Sequence, residues 1–209
     1  MTSELVLASS SVTRRQILQA AGIRFRVEPS GTEEVMFSAS TSEIVSALAT
    51  EKATAVAARI SSGLVLGCDS LLDIDGRSFG KPASVADALR RWLSQRGTTG
   101  TLFTGHVLVD AATGVSHAET VQTVVHFGRP SEREIELYVA SGEPLDKAGA
   151  FTLEGRSGPF IEGVEGDPGN VRGLSLPALR RLLEAHGRSI VEFWTEPSSD
   201  FGARSDFGR

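Results

Sequence analysis

The sequence predicts an α/β domain in which helices flank a mixed β-sheet. Short apolar runs typical of strands alternate with segments whose apolar residues recur at helical spacing. An Asp75-Gly76 pair and a second turn at 112–114 each join two strand-like runs, so part of the sheet is antiparallel. The chain has 209 residues, 40% of them hydrophobic and 22% charged, which is enough for one domain or two small lobes with a buried core.

The N-terminal part of the chain contains two short predicted strands and two predicted helices. The strands cover 5–8 and 25–28, and the helices cover about 12–21 and 41–60. Gly22 ends the first helix as a C-terminal glycine, and Thr41 or Ser42 offers a side chain that can cap the second.

The rest of the chain continues this alternation. It contains a buried strand and hairpin at 63–82, a helix at 84–97, antiparallel strands within 101–127, and helices at 130–142 and 174–187. Ser131 and Glu134 have the spacing of a capping box. Residues 196–209 repeat a Ser-Asp-Phe-Gly motif, so we expect a disordered tail after a domain formed by residues 1–195.

Charge and composition exclude several kinds of function. The formal net charge is −5, whereas surfaces that bind nucleic acid broadly are usually basic, so an anion must be bound by a few local groups. Cys68 is the only cysteine, which excludes an internal disulfide and favours a cytoplasmic location. No apolar run reaches the roughly 20 residues of a membrane span, and the four histidines lack the spacing of zinc ligands.

The turn between the first strand and the first helix, within LASSSVTRRQIL, has the composition of an anion-binding site. Ser9, Ser10 and Ser11 add hydroxyl donors to the unpaired N–H groups of a helix N-terminus. Arg14 and Arg15 add charge that can pair with phosphate oxygens. Taken alone, the same residues fit at least as well a helix that is capped by a serine and has its arginines in solvent.

A carboxylate and an ammonium converge in the segment LGCDSLLDIDGRSFGKP. The apolar run at 64–68 predicts a central strand, so Asp69 emerges at its carboxyl end, where α/β sheets generally bind ligands. Counting back from the hairpin turn gives three pairs, namely Ile74–Arg77, Leu72–Phe79 and Ser70–Lys81. Lys81 then lies within one residue of direct opposition to Asp69. The alternative is a surface ion pair of little energetic weight.

Further candidates are two acids and a lysine. Glu33 and Glu34, in a polar loop after the second strand, can ligate a divalent cation or lie in solvent. Lys52 lies among alanines on the second helix, where a lysine that extends to solvent is the simpler interpretation. No P-loop or serine-hydrolase motif is present. The remaining chemistry is that of carboxylates for Mg²⁺ or Mn²⁺ and basic side chains for phosphates.

Several motifs occur together and in order: LASSSVTRRQIL, EEV, EKA, GCDSLLDIDGRSFGKP, SGEPLDKAGAFTLEG and EGDPGNVRGLSLP. From Leu5 to Leu183 the chain therefore resembles the Maf family of nucleoside triphosphate pyrophosphatases. The resemblance implies an elongated inosine-triphosphatase-like fold with two lobes around a cleft, usually as a homodimer. It also implies metal-dependent cleavage of nucleoside triphosphates to a monophosphate and diphosphate. In the family this activity is linked to clearing non-standard nucleotides and to cell-division arrest.

The resemblance also assigns roles position by position. Asp69 corresponds to the proposed general base and, together with Glu34, to the ligands of a Mg²⁺ or Mn²⁺ ion. Glu33 competes with Glu34 for the acidic loop position. The positions that contact the substrate are Ser9, Arg14, Lys52 and Lys81.

Three positions that the family links to base selection depart from its pattern. Thr13 stands in place of an arginine, Ser70 in place of a threonine and Glu154 in place of a glutamine, compared with the branch that prefers dTTP and UTP. A carboxylate only accepts hydrogen bonds, whereas an amide both donates and accepts. The branch that acts on 7-methyl-GTP carries glutamate at this position but pairs it with a different first motif. The preferred base therefore stays open.

Two other functions also stay open. The altered first motif fits a catalytically weak, nucleotide-binding regulator of cell division. A phosphotransferase has less support, because the sequence shows neither a nucleophile nor an acceptor pocket.

Overall fold

A computed structural model describes residues 4–32 and 38–195 of the chain. The acidic pair Glu33 and Glu34 and the C-terminal segment 196–209 lie outside the described residues. Within the two described ranges, no helix has both the length and the apolar character that crossing a membrane requires.

A mixed β-sheet organises the fold. In the described part of the chain its strands are β1 (Leu5–Leu7), β2 (Arg26–Val27), β3 (Leu64–Ile74), β4 (Arg77–Phe79), β5 (Thr99–Asp110), β6 (Ser116–Phe127) and β7 (Ile161–Glu165). They lie in the order β2-β1-β3-β5-β6-β7, and β4 pairs with β3 as a hairpin. Since β1 runs parallel to β2 and β3 while the other neighbours are antiparallel, the predicted mixed sheet is confirmed.

Helices pack on both faces of this sheet. They are α1 (Val12–Ala20), α2 (Thr41–Ala57), α3 (Val85–Gln95), α4 (Glu132–Ala140), α5 (Pro168–Val171) and α6 (Leu176–Ala185). The apolar side chains of α1 and α6 share a core cluster with Leu5 and Leu7 of β1, whereas those of α2 cluster with Val6. Alternate residues of a strand point to opposite faces, so α2 covers the face opposite to α1 and α6.

The predicted N-cap of α2, Thr41 or Ser42, is wrong. Ser40, rather than Thr41 or Ser42, accepts a hydrogen bond from the backbone N–H of Glu43, whose carboxylate accepts one from the backbone N–H of Ser40. Thr41 is buried, and its hydroxyl donates to the carboxylate of Asp73. A reciprocal capping box satisfies two backbone donors, which favours Ser40 over a cap that satisfies one.

β3 is longer than the apolar run predicts. The expected end at residue 68 is wrong, because antiparallel pairing with β5 continues from Leu64 to Asp73 and carries the strand to Ile74. Asp69 therefore lies in the middle of a strand, opposite Gly105, and not at a strand end.

The cleft arises where the other edge of β3 loses its neighbour. β1 pairs with β3 only as far as Leu66, and β4 pairs with it only from Leu72 onward. Between these two points, in the described part of the chain, no strand lies beside Asp69 and Ser70 at this edge. The polar groups of this central strand are thereby exposed in mid-strand, away from either strand end. The apolar pattern of the sequence alone does not reveal such a gap in strand pairing.

The hairpin has the predicted register wherever its strands exist. The predicted pairs that form are Ile74–Arg77 and Leu72–Phe79. The third predicted pair, Ser70 with Lys81, does not form because β4 ends at Phe79.

Buried apolar side chains form several core clusters in the described part of the chain. One cluster joins β1, α1 and α6, and includes the fully buried Leu7. A second surrounds Trp92 of α3, whose ring packs edge-on against Phe127 and Tyr138. The Trp92 indole N–H also donates to the carbonyl of Ala150 at 2.8 Å.

Candidate functional site

A cleft of 380 Å³ opens beside the N-terminus of α1. Its wall includes the loop 29–32, the unpaired edge of β3, and the segments 146–148 and 171–172. The residues from the sequence analysis that line it are Ser9, Ser10, Ser11, Thr13, Arg14, Lys52, Asp69, Ser70 and Lys81. Glu154 borders it through an ion pair described below, and Glu34 lies outside the described residues.

Arg14 is buried in the wall of the cleft and held by neutral groups. Its guanidinium donates to the hydroxyls of Ser9 and Ser70, each at 3.1 Å. Its Nε donates to the carbonyl of Gly173 at 2.8 Å. Because none of these partners carries a charge, the positive charge of Arg14 stays available to an anion in the cleft.

The serines of the first turn divide between two roles. Ser11 caps α1 by accepting a hydrogen bond from the backbone N–H of Arg14 at 3.3 Å. Ser9 accepts from the backbone N–H of Ser11 at 3.2 Å, and Ser10 is exposed. All three serines line the cleft, so the cap of α1 does not remove Ser11 from the cleft surface.

Lys52 and Asp69 form a buried ion pair on the face of the sheet that α2 covers. The Lys52 ammonium donates to the Asp69 carboxylate, and the two residues are only 8% and 4% exposed. Gly67, two residues before Asp69 on the same face, lets α2 approach closely, since a Cβ there would lie 2.2 Å from the carbonyl oxygen of Ala49. The interpretation of Lys52 as a side chain that extends to solvent is therefore wrong, because the buried carboxylate attracts its ammonium.

Lys81 reaches the cleft from the segment after β4, but it does not take the predicted place beside Asp69. The ammonium that pairs with Asp69 is that of Lys52, while Lys81 is exposed at the cleft wall. The preceding residue, Gly80, is anchored because its carbonyl accepts from the Arg91 guanidinium at 2.7 Å. The two lysines therefore approach the cleft from different elements.

Two titratable groups beside the cleft are too deeply buried to take part in chemistry. Burial raises the pKa of the Cys68 thiol to about 11. Burial, and then the nearby charge of Arg14, lower the pKa of His106 to about 4. The Nε2 of His106 accepts a hydrogen bond from the backbone N–H of Ser175 at 2.9 Å. Both pKa values therefore lie far from neutral pH, which suits neither Cys68 nor His106 to proton transfer in the cleft.

Two basic residues that the sequence analysis did not single out, Lys147 and Arg172, also line the cleft. The Lys147 ammonium lies 3.5 Å from the hydroxyl of Thr13, and an Arg172 guanidinium nitrogen lies 3.1 Å from the carboxylate of Glu154. Ser70 contacts the buried Arg14. The three positions that the family resemblance links to base selection thus each contact a basic residue of the cleft. Lys147 and Arg172 lie in two motifs of the family resemblance, SGEPLDKAGAFTLEG and EGDPGNVRGLSLP. A sequence motif does not reveal where its side chains point.

The described residues supply few ligands for a metal ion. No group of three histidine, cysteine, aspartate or glutamate side chains suited to a metal occurs within the ranges 4–32 and 38–195. Asp69 and Asp146 are the carboxylates among the described lining residues. Mg²⁺ is commonly bound by one or two protein carboxylates together with substrate phosphates. The residues therefore fit an ion that binds together with a phosphorylated substrate.

Comparison with known proteins identifies the family. A family model described as "Maf-like protein" matches residues 4–186. The chain belongs to the Maf family. Among its relatives, a protein of Streptomyces coelicolor is 52% identical over 94% of this chain and 96% of its own length. A Maf family relative from Salinispora tropica is 49% identical over 93% of this chain and 89% of its own length. Both are named nucleoside triphosphate pyrophosphatase.

A solved structure with a similar backbone is that of the Staphylococcus aureus Ham1 protein. The match has a TM-score of 0.43 and 14% sequence identity, and covers 76% of this chain and 91% of that chain.

Proposed function

We propose that this Maf family protein hydrolyses nucleoside triphosphates to a nucleoside monophosphate and pyrophosphate. The observation that carries the proposal is a buried carboxylate, Asp69, in the same cleft as the uncompensated charge of Arg14. A carboxylate serves as a base for water, whereas a guanidinium held by neutral groups binds phosphate oxygens. The names of the relatives support the same reaction.

The phosphates are bound by basic groups from several elements. Arg14 and Lys81 line the cleft, and the N-terminus of α1 adds backbone N–H groups beside Ser10. Such donors, fixed before the substrate binds, stabilise charge that develops on the leaving pyrophosphate. Because these groups come from different elements, they can contact different phosphates of one triphosphate.

Asp69 is the residue that activates water. Lys52 fixes the orientation of its carboxylate from α2. The carboxylate removes a proton from a water molecule, whose oxygen attacks the α-phosphorus as the bond from that phosphorus to the bridging oxygen breaks. The leaving pyrophosphate carries away the electron pair of that bond, with its charge balanced by Arg14 and Lys81.

We extend the proposal to the metal ion, location, assembly and biological role that the family resemblance implies. A Mg²⁺ or Mn²⁺ ion, with Asp69 and Glu34 as carboxylate ligands, would supply Lewis-acid stabilisation of the phosphates. Asp69 cannot be both a tight metal ligand and a free base, so the proposal gives it the role of base first. Cytoplasmic location, a homodimer, non-standard nucleotides as substrates and a link to cell-division arrest belong to the same proposal.

One assay tests the function. Purified protein is incubated with a panel of standard and modified nucleoside triphosphates and with Mg²⁺ or Mn²⁺, and pyrophosphate and orthophosphate are quantified separately. We expect pyrophosphate in equal amount to the monophosphate, and loss of both on addition of EDTA. Orthophosphate as the first product would contradict cleavage between the α and β phosphates. Tight binding without turnover would favour the nucleotide-binding regulator.

A further inference from the structure

Arg14 belongs to a closed ring of hydrogen bonds that runs from the cleft into the protein interior. Its guanidinium donates to the Ser70 hydroxyl at 3.1 Å, and the Thr104 hydroxyl lies 2.9 Å from that of Ser70. Thr104 donates to the backbone carbonyl of Asn170 at 3.1 Å. The Gly173 N–H donates to the same carbonyl at 2.8 Å, and the Gly173 carbonyl accepts from Arg14 Nε at 2.8 Å. These five residues form what we call the Arg14 ring.

The side-chain half of the Arg14 ring has one possible direction. A threonine hydroxyl has a single hydrogen, which Thr104 gives to the Asn170 carbonyl. Ser70, which lies opposite Thr104 on the neighbouring strand, must therefore donate to it, while its oxygen accepts from Arg14. The hydrogen bonds of this half thus all run from the positive guanidinium towards a carbonyl oxygen. Hydrogen bonds aligned in this way polarise and strengthen one another.

Asn170 anchors the Arg14 ring to the centre of the sheet. Its side chain is fully buried, and its Nδ2 donates to the Leu102 carbonyl of β5 and to the Thr123 hydroxyl of β6, each at 3.1 Å. Thr104 is fully buried as well and lies on β5, two residues after Leu102. The carbonyl on which both halves of the ring converge is therefore held by two strands of the sheet as well as by the short helix α5.

The Arg14 ring leaves part of the guanidinium to a ligand. A guanidinium has five N–H donors. Among the described residues, three of them donate to Ser9, Ser70 and Gly173, and two remain for an anion in the cleft. A long arginine side chain loses much rotamer entropy when it is held in one position. Because the ring imposes that position before a phosphate arrives, binding itself loses less entropy.

We propose that Thr104 and Asn170 are positioning residues that hold the Arg14 guanidinium where it binds a phosphate of the substrate. Both are fully buried, so they act through the Arg14 ring and without contact with the substrate. This inference rests on the proposed function, because it concerns the arginine that binds the phosphates in that cleft. Two uncharged residues of the interior thereby contribute to phosphate binding.

Thr104→Val tests the Arg14 ring at its buried threonine. Valine keeps the branched shape that suits a strand, but it removes the donor to Asn170 and the acceptor for Ser70. Calorimetry with Mg²⁺ measures the binding of pyrophosphate, which carries no base, and pyrophosphate release from the best substrate of the panel gives kcat/KM. We expect both the association constant and kcat/KM to fall by about tenfold to a hundredfold, because a small misplacement of a binding group has effects of this size.

Two further variants accompany Thr104→Val. Thr104→Ser keeps the hydroxyl and should restore most of the loss. Asn170→Ala removes the anchor to β5 and β6 and should lower the same two quantities. Thermal unfolding checks that each variant is folded, and where Asn170→Ala is not, Thr104→Val carries the test. Pyrophosphate binding as weak in Thr104→Ser as in Thr104→Val would overturn the proposal.

A double-mutant cycle separates the positioning of Arg14 from a general structural effect. If Thr104 acts through Arg14, Thr104→Val should have little further effect on pyrophosphate binding or kcat/KM in protein that already carries Arg14→Gln. A loss of the same size in both backgrounds would overturn the proposal, because it would not depend on the arginine.

Thr98→Val is the matched control, since the Thr98 hydroxyl also donates to a backbone carbonyl, that of Gln95, but lies outside the Arg14 ring. It should leave pyrophosphate binding and kcat/KM unchanged, and an equal loss in Thr98→Val would overturn the proposal. Wild-type protein that binds pyrophosphate but releases none from any triphosphate would refute the proposed function. Weaker pyrophosphate binding by Thr104→Val would then still support this inference.

Discussion

The buried pair of Lys52 and Asp69 shows how much the site depends on single residues. Both side chains are almost fully enclosed, so each depends on charge and hydrogen-bond partners inside the protein. Removing one partner of a buried ion pair usually costs far more than removing an exposed one. Tests of catalysis at this pair therefore need variants that keep its shape.

Asp69→Asn is such a variant, because an amide oxygen still accepts a hydrogen bond from Lys52. The amide is not a base, so we expect kcat to fall by about a hundredfold or more, the usual contribution of a general base. Release of pyrophosphate measures the rate, and circular dichroism confirms the fold. Turnover close to that of the wild type would refute the role given to Asp69.

His106 makes stability depend on pH. Its pKa is lowered from 6.5 to about 4 in the folded protein, so the unfolded state binds more protons between these values. The free energy of unfolding should therefore fall as the pH drops from about 6.5 towards 4, by up to about 3 kcal/mol. Denaturant unfolding at several pH values measures how the free energy of unfolding changes with pH. In His106→Gln the contribution of this histidine to that pH dependence should disappear, and an unchanged pH dependence would contradict the prediction.

At the scale of elements, the site depends on how closely α2 packs on the sheet. A Cβ at Gly67 would lie 2.2 Å from the carbonyl oxygen of Ala49, and one at Gly105 would lie 2.3 Å from that of Val45. The absence of side chains at these two positions lets the helix lie directly on β3 and β5. This contact brings Lys52 down to Asp69.

Gly67→Ala should therefore lower both the free energy of unfolding and the rate of pyrophosphate release. The methyl group forces α2 away at the turn that carries Lys52, and such overpacking typically costs about 1–3 kcal/mol. Thermal unfolding and pyrophosphate release measure the two effects. Gly163→Ala on β7 is the control, since a Cβ there meets nothing within 4 Å. Full activity in Gly67→Ala would show that the closeness of α2 is not required.

At the scale of the whole molecule, the cleft is basic although the chain is acidic. The described lining residues include five basic and two acidic side chains, whereas the formal net charge of the chain is −5. These side chains come from several elements, including α1, α2 and the segment after β4. An anionic ligand in the cleft would therefore contact several separate elements of the fold.

A non-hydrolysable nucleotide should stabilise the whole chain as one unit. A ligand at a hundred times its dissociation constant adds about 2.7 kcal/mol to the free energy of unfolding. Differential scanning calorimetry with an α,β-methylene triphosphate should show one transition at a higher temperature. Arg14→Gln should lose most of this increase, and Arg181→Gln, outside the cleft, should keep it. A rise confined to one of two separate transitions would contradict the expected coupling.

Part of the cleft wall was predictable from local sequence. The hydroxyls and charge of the first turn predict an anion site, and the structure places Ser9 and Arg14 in the cleft wall. The pairing of charges was not predictable, because Lys52 and Asp69 are 17 positions apart on different elements. Nor did the sequence indicate that Arg172 lines the cleft and contacts Glu154.

The sequence by itself determined the mixed α/β architecture, the family and the kinds of side chain available for phosphate chemistry. These properties follow from periodicity, turn residues and motifs, which act over a few neighbouring positions. Only the tertiary structure decided that β3 continues past Asp69, that Lys52 and not Lys81 is the partner of that carboxylate, and that Arg172 faces the cleft. Strand pairing and the burial of charge depend on residues far apart in the chain. They contribute to the free energy of folding only once the elements pack together.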